Sequence, residues 1–238
     1  AMYGAAAVAA LVSVTLVWAS RSDRMDRRPD SETSVEVLRN GPGWRLMLLL
    51  QSVSFVMMFT LGAVPQTLVP LIGSGVLGLN AAAIGLALGL GGFSRFVGTL
   101  VGGRLSDRVS RKAALVPGLL IQAAGVGLLA LRPTVVTWLA AIVVMSVGSF
   151  GVPVAATVLG DLSEPGRVGT QLGRFRFVGD LGLITGPITV SALYAWAGRT
   201  VAFLAVTTLI AAVGLAAVWV LPETRPPEGP GGPSPKVA

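Results

Sequence analysis

The chain contains no cysteine and no histidine. The first absence excludes disulfide scaffolds and thiolate metal sites. The second excludes imidazole ligands and the commonest general base, and removes the side chain that titrates most readily near neutral pH. Lysine is nearly absent. Lys112 and Lys236 are the two copies, both in polar segments outside the apolar runs, so Ser-Lys nucleophile chemistry has no base within them. No G-x-x-x-x-G-K-S/T phosphate loop occurs. No enzymatic activity, cofactor or metal is expected. Charge is scarce as well, at 12% of 238 residues, about half of the roughly 25% typical of soluble domains. The net charge of +7 could suggest nucleic acid, but the basic residues sit at the ends of apolar runs and form no separate face, so no nucleic-acid partner is expected.

What fills the space is apolar: 53% hydrophobic residues and a mean hydropathy of +0.77. A bilayer core takes about 20 apolar residues at roughly 1.5 Å each. Seven runs reach that length, at about 1–20, 45–70, 81–103, 113–131, 134–159, 175–197 and 200–221. Too little polar sequence remains to cover them as the core of a soluble protein. The expected fold is therefore an all-α, polytopic transmembrane bundle of seven spans, in contact with membrane lipids.

The connections set the orientation. With seven spans they alternate sides. One side receives fifteen Lys and Arg residues, from 21–45, 104–112, 160–176 and the tail after Leu221; the other receives Arg132 and Arg199. By the positive-inside rule the basic side is cytoplasmic. Residue 1 then starts outside, and the C-terminus ends in the cytoplasm of a cell whose plasma or inner membrane holds the chain. Residues 21–44, charged on both signs and closing with Gly41-Pro42-Gly43, read as a cytoplasmic linker. Residues 222–238, rich in Pro and Gly, read as a disordered tail. The chain enters an apolar run at once, with no charged leader and no cleavage site, and so reads as a piece of a longer one.

The stretch GGRLSDRVSRK (102–112) carries the pattern G-x-L-x-D-R-x-x-R-K through Gly103, Leu105, Asp107, Arg108, Arg111 and Lys112. It resembles the loop motif of the major facilitator superfamily, which joins the second and third helices of a six-helix half and recurs, weakened, between the eighth and ninth. Val109 stands where that motif has an aromatic, and Ser110 where it has glycine. GDLSEPGRVGTQLGRFR (160–176) is similar to the loop after a fourth or tenth helix, GLITGP (182–187) to the Gly-Pro motif of a fifth or eleventh, and LPET (221–224) to the exit of a last helix. The resemblance implies two six-helix halves that rock around a central site. Residues 1–20 would be the sixth helix, 21–44 the central loop and 45–221 the second half, with the first five helices missing. The alternative assignment, a first half with an extra leading helix, fits the long loop after one span less well.

Several residues then have candidate roles. Basic residues at a cytoplasmic turn serve topology, but Asp107 is not needed for that. The resemblance implies that Asp107, Arg108 and Arg111, with Gly103 and Lys112, form a gating latch. Arg95 lies inside a span, eight residues or about 12 Å before Gly103 at 1.5 Å per residue. Glycines at 91, 92, 98 and 102 share its side of the helix, so it is expected to face the bundle or a cavity, as a structural ion pair or as an anion-attracting or proton-coupling group. Asp180 is the acid placed well inside a span. It is a candidate coupling group, or a helix N-terminal acid near Arg176. It lies about 160° around the helix from the packing edge of Gly182 and Gly186, which is followed by Pro187. Gln51 and Gln66, with neighbouring polar residues, are candidates for lining a cavity, and Pro65 and Pro70 for bending their helix. Trp44, Trp138, Trp196 and Trp219 fall near run ends, as interfacial anchors do.

The leading functional expectation is secondary active transport of a small molecule by alternating access. The resemblance points to proton-coupled efflux of the drug:proton antiporter kind, with protons as coupling ion and an N-terminal half as partner. Two alternatives remain open: a non-transporting membrane scaffold, or a half-size transporter pairing with a second copy.

Overall fold

A computed structural model describes residues 43–163 and 167–221. The runs at 1–20, the linker up to residue 42 and the tail at 222–238 lie outside the described residues. The elements are α1 (Trp44–Ala63), a π-helical segment (Val64–Leu68), α2 (Val69–Gly75), α3 (Ala81–Arg108), α4 (Arg111–Leu128), α5 (Val135–Val147), a 3-10 turn (Gly148–Phe150), α6 (Gly151–Leu162) and α7 (Val168–Val220). No strand occurs among the described residues.

Four helical stretches are long and apolar enough to cross a membrane: Trp44–Gly75, Ala81–Arg108, Val135–Asp161 and Val168–Val220. The last is two rods. Gly198, at φ 83° and ψ 171°, adopts a backbone open mainly to glycine, and the chain folds back there. The 18-residue α4 is the remaining rod; Arg111 and Lys112 occupy its first turn and lower its hydropathy. The described bundle thus has six rods.

Contacts give their directions. Arg199 donates to the carbonyls of Leu129, at 3.0 Å, and Leu131, so the end of α4 meets the bend of α7. Arg111 reaches Asp161, so the start of α4 meets the end of α6. Successive rods therefore alternate between an Arg111 end and an Arg199 end.

Water supplies no hydrophobic drive between helices in lipid, so close approach of small residues has to hold such a bundle. The α1–α7 seam is built that way. A Cβ at Gly182 would strike the Phe55 carbonyl and one at Gly186 the Phe59 carbonyl, while a Cβ at Gly62 would lie 2.6 Å from the Leu183 oxygen and 3.0 Å from a Pro187 ring carbon. Ser54 adds a hydrogen bond to the Phe175 carbonyl at 2.8 Å. A second seam joins α3 to α5, where Gly98 abuts the Val147 backbone and Gly102 the Phe150 ring.

Helix ends differ from the run boundaries. The expected loops 104–112 and 160–174 are mostly helical. α3 runs on to Arg108, and only Val109 and Ser110 separate it from α4. Ser110, where the motif has glycine, caps α4 through a hydrogen bond that its Oγ accepts from the Ala113 amide at 3.0 Å. Pro65 lacks the N–H that would continue the α-helical ladder. The register widens there to a π turn, with the Val69 amide on the Val64 carbonyl and Thr67 Oγ1 on the Gly62 carbonyl at 2.9 Å.

Trp138 corrects the interfacial-anchor expectation. It is 2% exposed. Its indole N–H donates to the Val69 carbonyl at 3.3 Å, and the bare face of Gly73 admits the ring. Trp44, Trp196 and Trp219 are exposed. Trp138→Phe, which deletes the N–H donor, should cost about 1–2 kcal/mol and lower the Tm of the purified chain by a few degrees. An unchanged Tm would show that the indole bond contributes nothing.

Candidate functional site

A cavity of about 200 Å3 opens between α1, the π segment, α3, α4, α5 and α6. Its apolar wall includes Met57, Met58, Met145 and Ile142; its polar lining includes Thr60, Gln122, Ser146, Ser149 and Arg95. The π turn places Pro65 in the cavity wall, so the change of helical register also shapes the cavity.

Arg95 is half-buried. Because α3 extends to Arg108, Arg95 lies near the helix midpoint, about 20 Å from its end at 1.5 Å per residue, deeper than the sequence-based 12 Å. A charge at mid-membrane depth costs about 2.5–3.5 kcal/mol on insertion scales. An internal acid would offset that cost, but the ion pairs among the described residues are Arg111–Asp107 and Arg111–Asp161, and neither involves Arg95. Its guanidinium therefore lines the cavity without a protein counter-charge among the described residues.

Hydrogen-bond accounting separates donors from acceptors. Thr60 Oγ1 donates to the Val56 carbonyl at 2.7 Å and Ser149 Oγ to the Ser146 carbonyl at 2.7 Å, which leaves both hydroxyl oxygens as acceptors. Gln122 is 5% exposed, and its Oε1 has no partner. The lining thus combines one cation with acceptor oxygens at Thr60, Ser149 and Gln122, while the Ser146 hydroxyl and the Gln122 amide can also donate. The signal for Gln122 was present in the sequence, as the one amide in the apolar run 113–131, and was missed because it lies outside the first described helix.

Asp180, Gln51 and Gln66 are not among the cavity-lining residues. Asp180 and Gln66 are exposed and Gln51 is half-buried. Asp180 lies away from the packed edge of Gly179, Gly182 and Gly186 on α7, so it points off the bundle, and it pairs with neither Arg95 nor Arg176.

At the Arg111 end, the motif residues form a joint. Arg111, 16% exposed, makes ion pairs with Asp107 at 3.3 Å and Asp161 at 3.0 Å, whose side chains are 72% and 55% exposed. It also donates to the buried Ser106 hydroxyl at 3.0 Å. One guanidinium thus ties the end of α3 and the start of α4 to the end of α6. Arg108 is exposed and Lys112 half-buried, and neither joins the cluster; Gly103 has open space where a Cβ would lie. Asp161 was missed in the sequence. The signal was an acid in the last turn of a helix, where the dipole disfavours it, so a cation was required nearby.

A membrane-embedded helical bundle, with a charged cavity among its rods and an ion-paired joint at one end, has the architecture of a membrane transport protein. The sequence profile of the Major Facilitator Superfamily matches residues 49–238, and the chain belongs to that family, which comprises transporters and not enzymes. The chain is 28% identical over 185 residues to the class C tetracycline resistance protein of Escherichia coli, covering 75% of this chain and 46% of that one. In fold it is similar to the peptide transporter POT solved as an E310Q mutant with sulfate, with TM-score 0.70, 20% identity, and 81% of this chain against 43% of that one. It is also similar to a POT family transporter in complex with a thioalcohol-conjugated peptide, with TM-score 0.68, 17% identity, and 76% against 40%. The chain spans less than half the length of these relatives.

Proposed function

We propose that this chain forms one six-helix half of a secondary transporter that moves a small molecule by alternating access. The observation that carries the reading is Arg95, a cation without an ion-pair partner among the described residues, near the middle of an apolar helix and opening on a cavity. Its helix is also the most uncovered of the long ones. In its most apolar stretch 22% of residues are buried, against 61% for Trp44–Gly75. A helix that carries a charge needs that side covered by protein or water and not by lipid. A second half packed there closes a central site between the halves. It comes from other sequence or from a second copy.

Each of the six rods is then a crossing, with 45–221 as the half, 1–20 as a seventh span, 21–44 as the linker and 222–238 as a tail. The basic Arg111 end is the cytoplasmic one of a plasma or inner membrane, which puts the C-terminus inside. The direction is efflux and the coupling ion is the proton. Asp180, a lone exposed acid on the α7 flank, is the coupling candidate. The Arg111 joint, with Gly103, Arg108 and Lys112 around it, is the gate.

Inverted membrane vesicles from cells expressing the gene that encodes this chain test the reading. Substrate uptake into energised vesicles should exceed the empty-vector control severalfold, collapse with a protonophore, and fall in Asp180→Asn at equal membrane insertion. Uptake equal to the vector control across charged and neutral dyes would leave the scaffold alternative in its place.

A further inference from the structure

The cavity's chemistry names the class of molecule it takes; this inference rests on the transport reading above. We propose that the cavity binds the acidic end of a small amphipathic organic acid, one that also carries an N–H or O–H donor near its carboxylate. A guanidinium offers forked donors that match a carboxylate's two oxygens and cannot be silenced by deprotonation. Arg95 shares its cavity with a mainly apolar wall that includes three methionines, so the field there is weakly screened. A cationic substrate placed there meets like charge with no acid among the lining residues to offset it, and the cavity discriminates by that repulsion.

Thr60 and Ser149 have spent their hydroxyl protons on backbone carbonyls. Gln122 Oε1 is buried and unpartnered. A buried acceptor without a donor carries a desolvation cost that only a partner removes. A bare carboxylate would satisfy Arg95 and leave the Gln122 oxygen unmet; a hydroxy or amino acid derivative brings a donor for it, and the Thr60 and Ser149 oxygens can accept as well. Size limits the fit. At about 200 Å3 the cavity is smaller than the roughly 300–1,000 Å3 that encloses a drug-sized ligand. It therefore holds the acidic end and leaves the apolar body to extend out of the cavity, with Met57, Met58 and Met145 of the lining adapting to its shape.

The test is equilibrium binding to the purified chain in phosphatidylcholine nanodiscs, with three matched probes: 3-phenyllactate, 3-phenylpropylamine and 3-phenylpropanamide. Phenyllactate should bind saturably and at least about tenfold tighter than the amine, one factor of ten being 1.4 kcal/mol. Arg95→Gln should erase the preference and Arg95→Lys should keep part of it. Gln122→Glu, which adds a carboxylate to the lining that holds Arg95 without changing shape, should weaken phenyllactate and admit the amine. That variant keeps the test alive if Arg95→Gln fails to fold. Equal binding of acid and amine, survival of the preference in folded Arg95→Gln, or no saturable acid binding up to solubility would overturn the proposal. Repeating the series in phosphatidylglycerol discs separates a transported acid from a lipid headgroup. Loss of phenyllactate binding there assigns the cavity to the lipid and overturns the substrate form. The two readings fail separately. Amine uptake that is indifferent to Arg95 sinks the acid proposal alone, and acid binding without any transport sinks the transport reading alone.

Discussion

The double variant Gly182→Leu/Gly186→Leu is expected to leave no folded bundle. Both positions lie on one edge of α7, and what each would strike is a backbone carbonyl of α1, at Phe55 and Phe59. A side-chain neighbour could rotate aside; a helix backbone cannot. The helices would have to separate, which opens Gly62 from Leu183 and Pro187 and the Ser54–Phe175 hydrogen bond along the same seam. Overpacking costs about 1–3 kcal/mol per site, and more where the backbone must move. Two adjacent sites consume a large share of the roughly 5–15 kcal/mol that holds a domain. Membrane helices lack a hydrophobic drive to restore the contact. Gly85→Leu is the control, since a Cβ there meets nothing within 4 Å, and its Tm should match wild type. Size-exclusion chromatography in detergent reads the result. A monodisperse double variant with the wild-type Tm would show that this seam does not hold the bundle.

The seam shows what sequence carries well. Small residues four apart followed by proline mark a close helix contact, because no other common requirement produces that spacing in an apolar run. That the apolar runs are helical was equally readable. Helix ends were not. The basic stretch 102–112 looks like a loop by composition, yet a helix tolerates Arg, Ser and Asp in its last turns. Only the cap at Ser110, a geometric feature, marks the break. Trp138 failed for a related reason: position near a run end says nothing about which face a residue takes. Trp138 faces α2, where its indole N–H meets the Val69 carbonyl and its ring the bare face of Gly73. The candidate site was half legible. A charge in a span announces itself, as Arg95 does. Which of the polar residues share its cavity depends on the rotation of each helix, so Gln51 and Gln66 are outside it and Gln122 is inside.

Reversing Arg111 to Asp should reduce transport tenfold or more while the protein still inserts, and Arg111→Asp/Asp161→Arg should recover much of it. Arg111 is the hub of the joint. From the start of α4 it holds two carboxylates and the Ser106 hydroxyl, from the ends of α3 and α6. Exposed ion pairs contribute about 0–1 kcal/mol each, and both carboxylates are more than half exposed. The fold therefore survives the loss. The conformational equilibrium is another matter. If the joint is intact in one of two states, even about 1.4 kcal/mol shifts their ratio tenfold. Reversal to Asp puts like charges where the pairs stood, so the shift exceeds simple removal. The swap restores the link from α4 to α6. It leaves Asp107 one turn from a new Asp, which costs only about 0.2–0.5 kcal/mol, and that residual explains why recovery is partial. Initial rates in energised vesicles, normalised to inserted protein, decide the point. Asp107→Asn should fall short of wild type by less than Arg111→Asp, because it breaks one of three contacts. If Arg111→Asp transports at the wild-type rate, the joint is a topological anchor. If it fails and the swap fails equally, the charge at 111 matters for something other than its bond to α6.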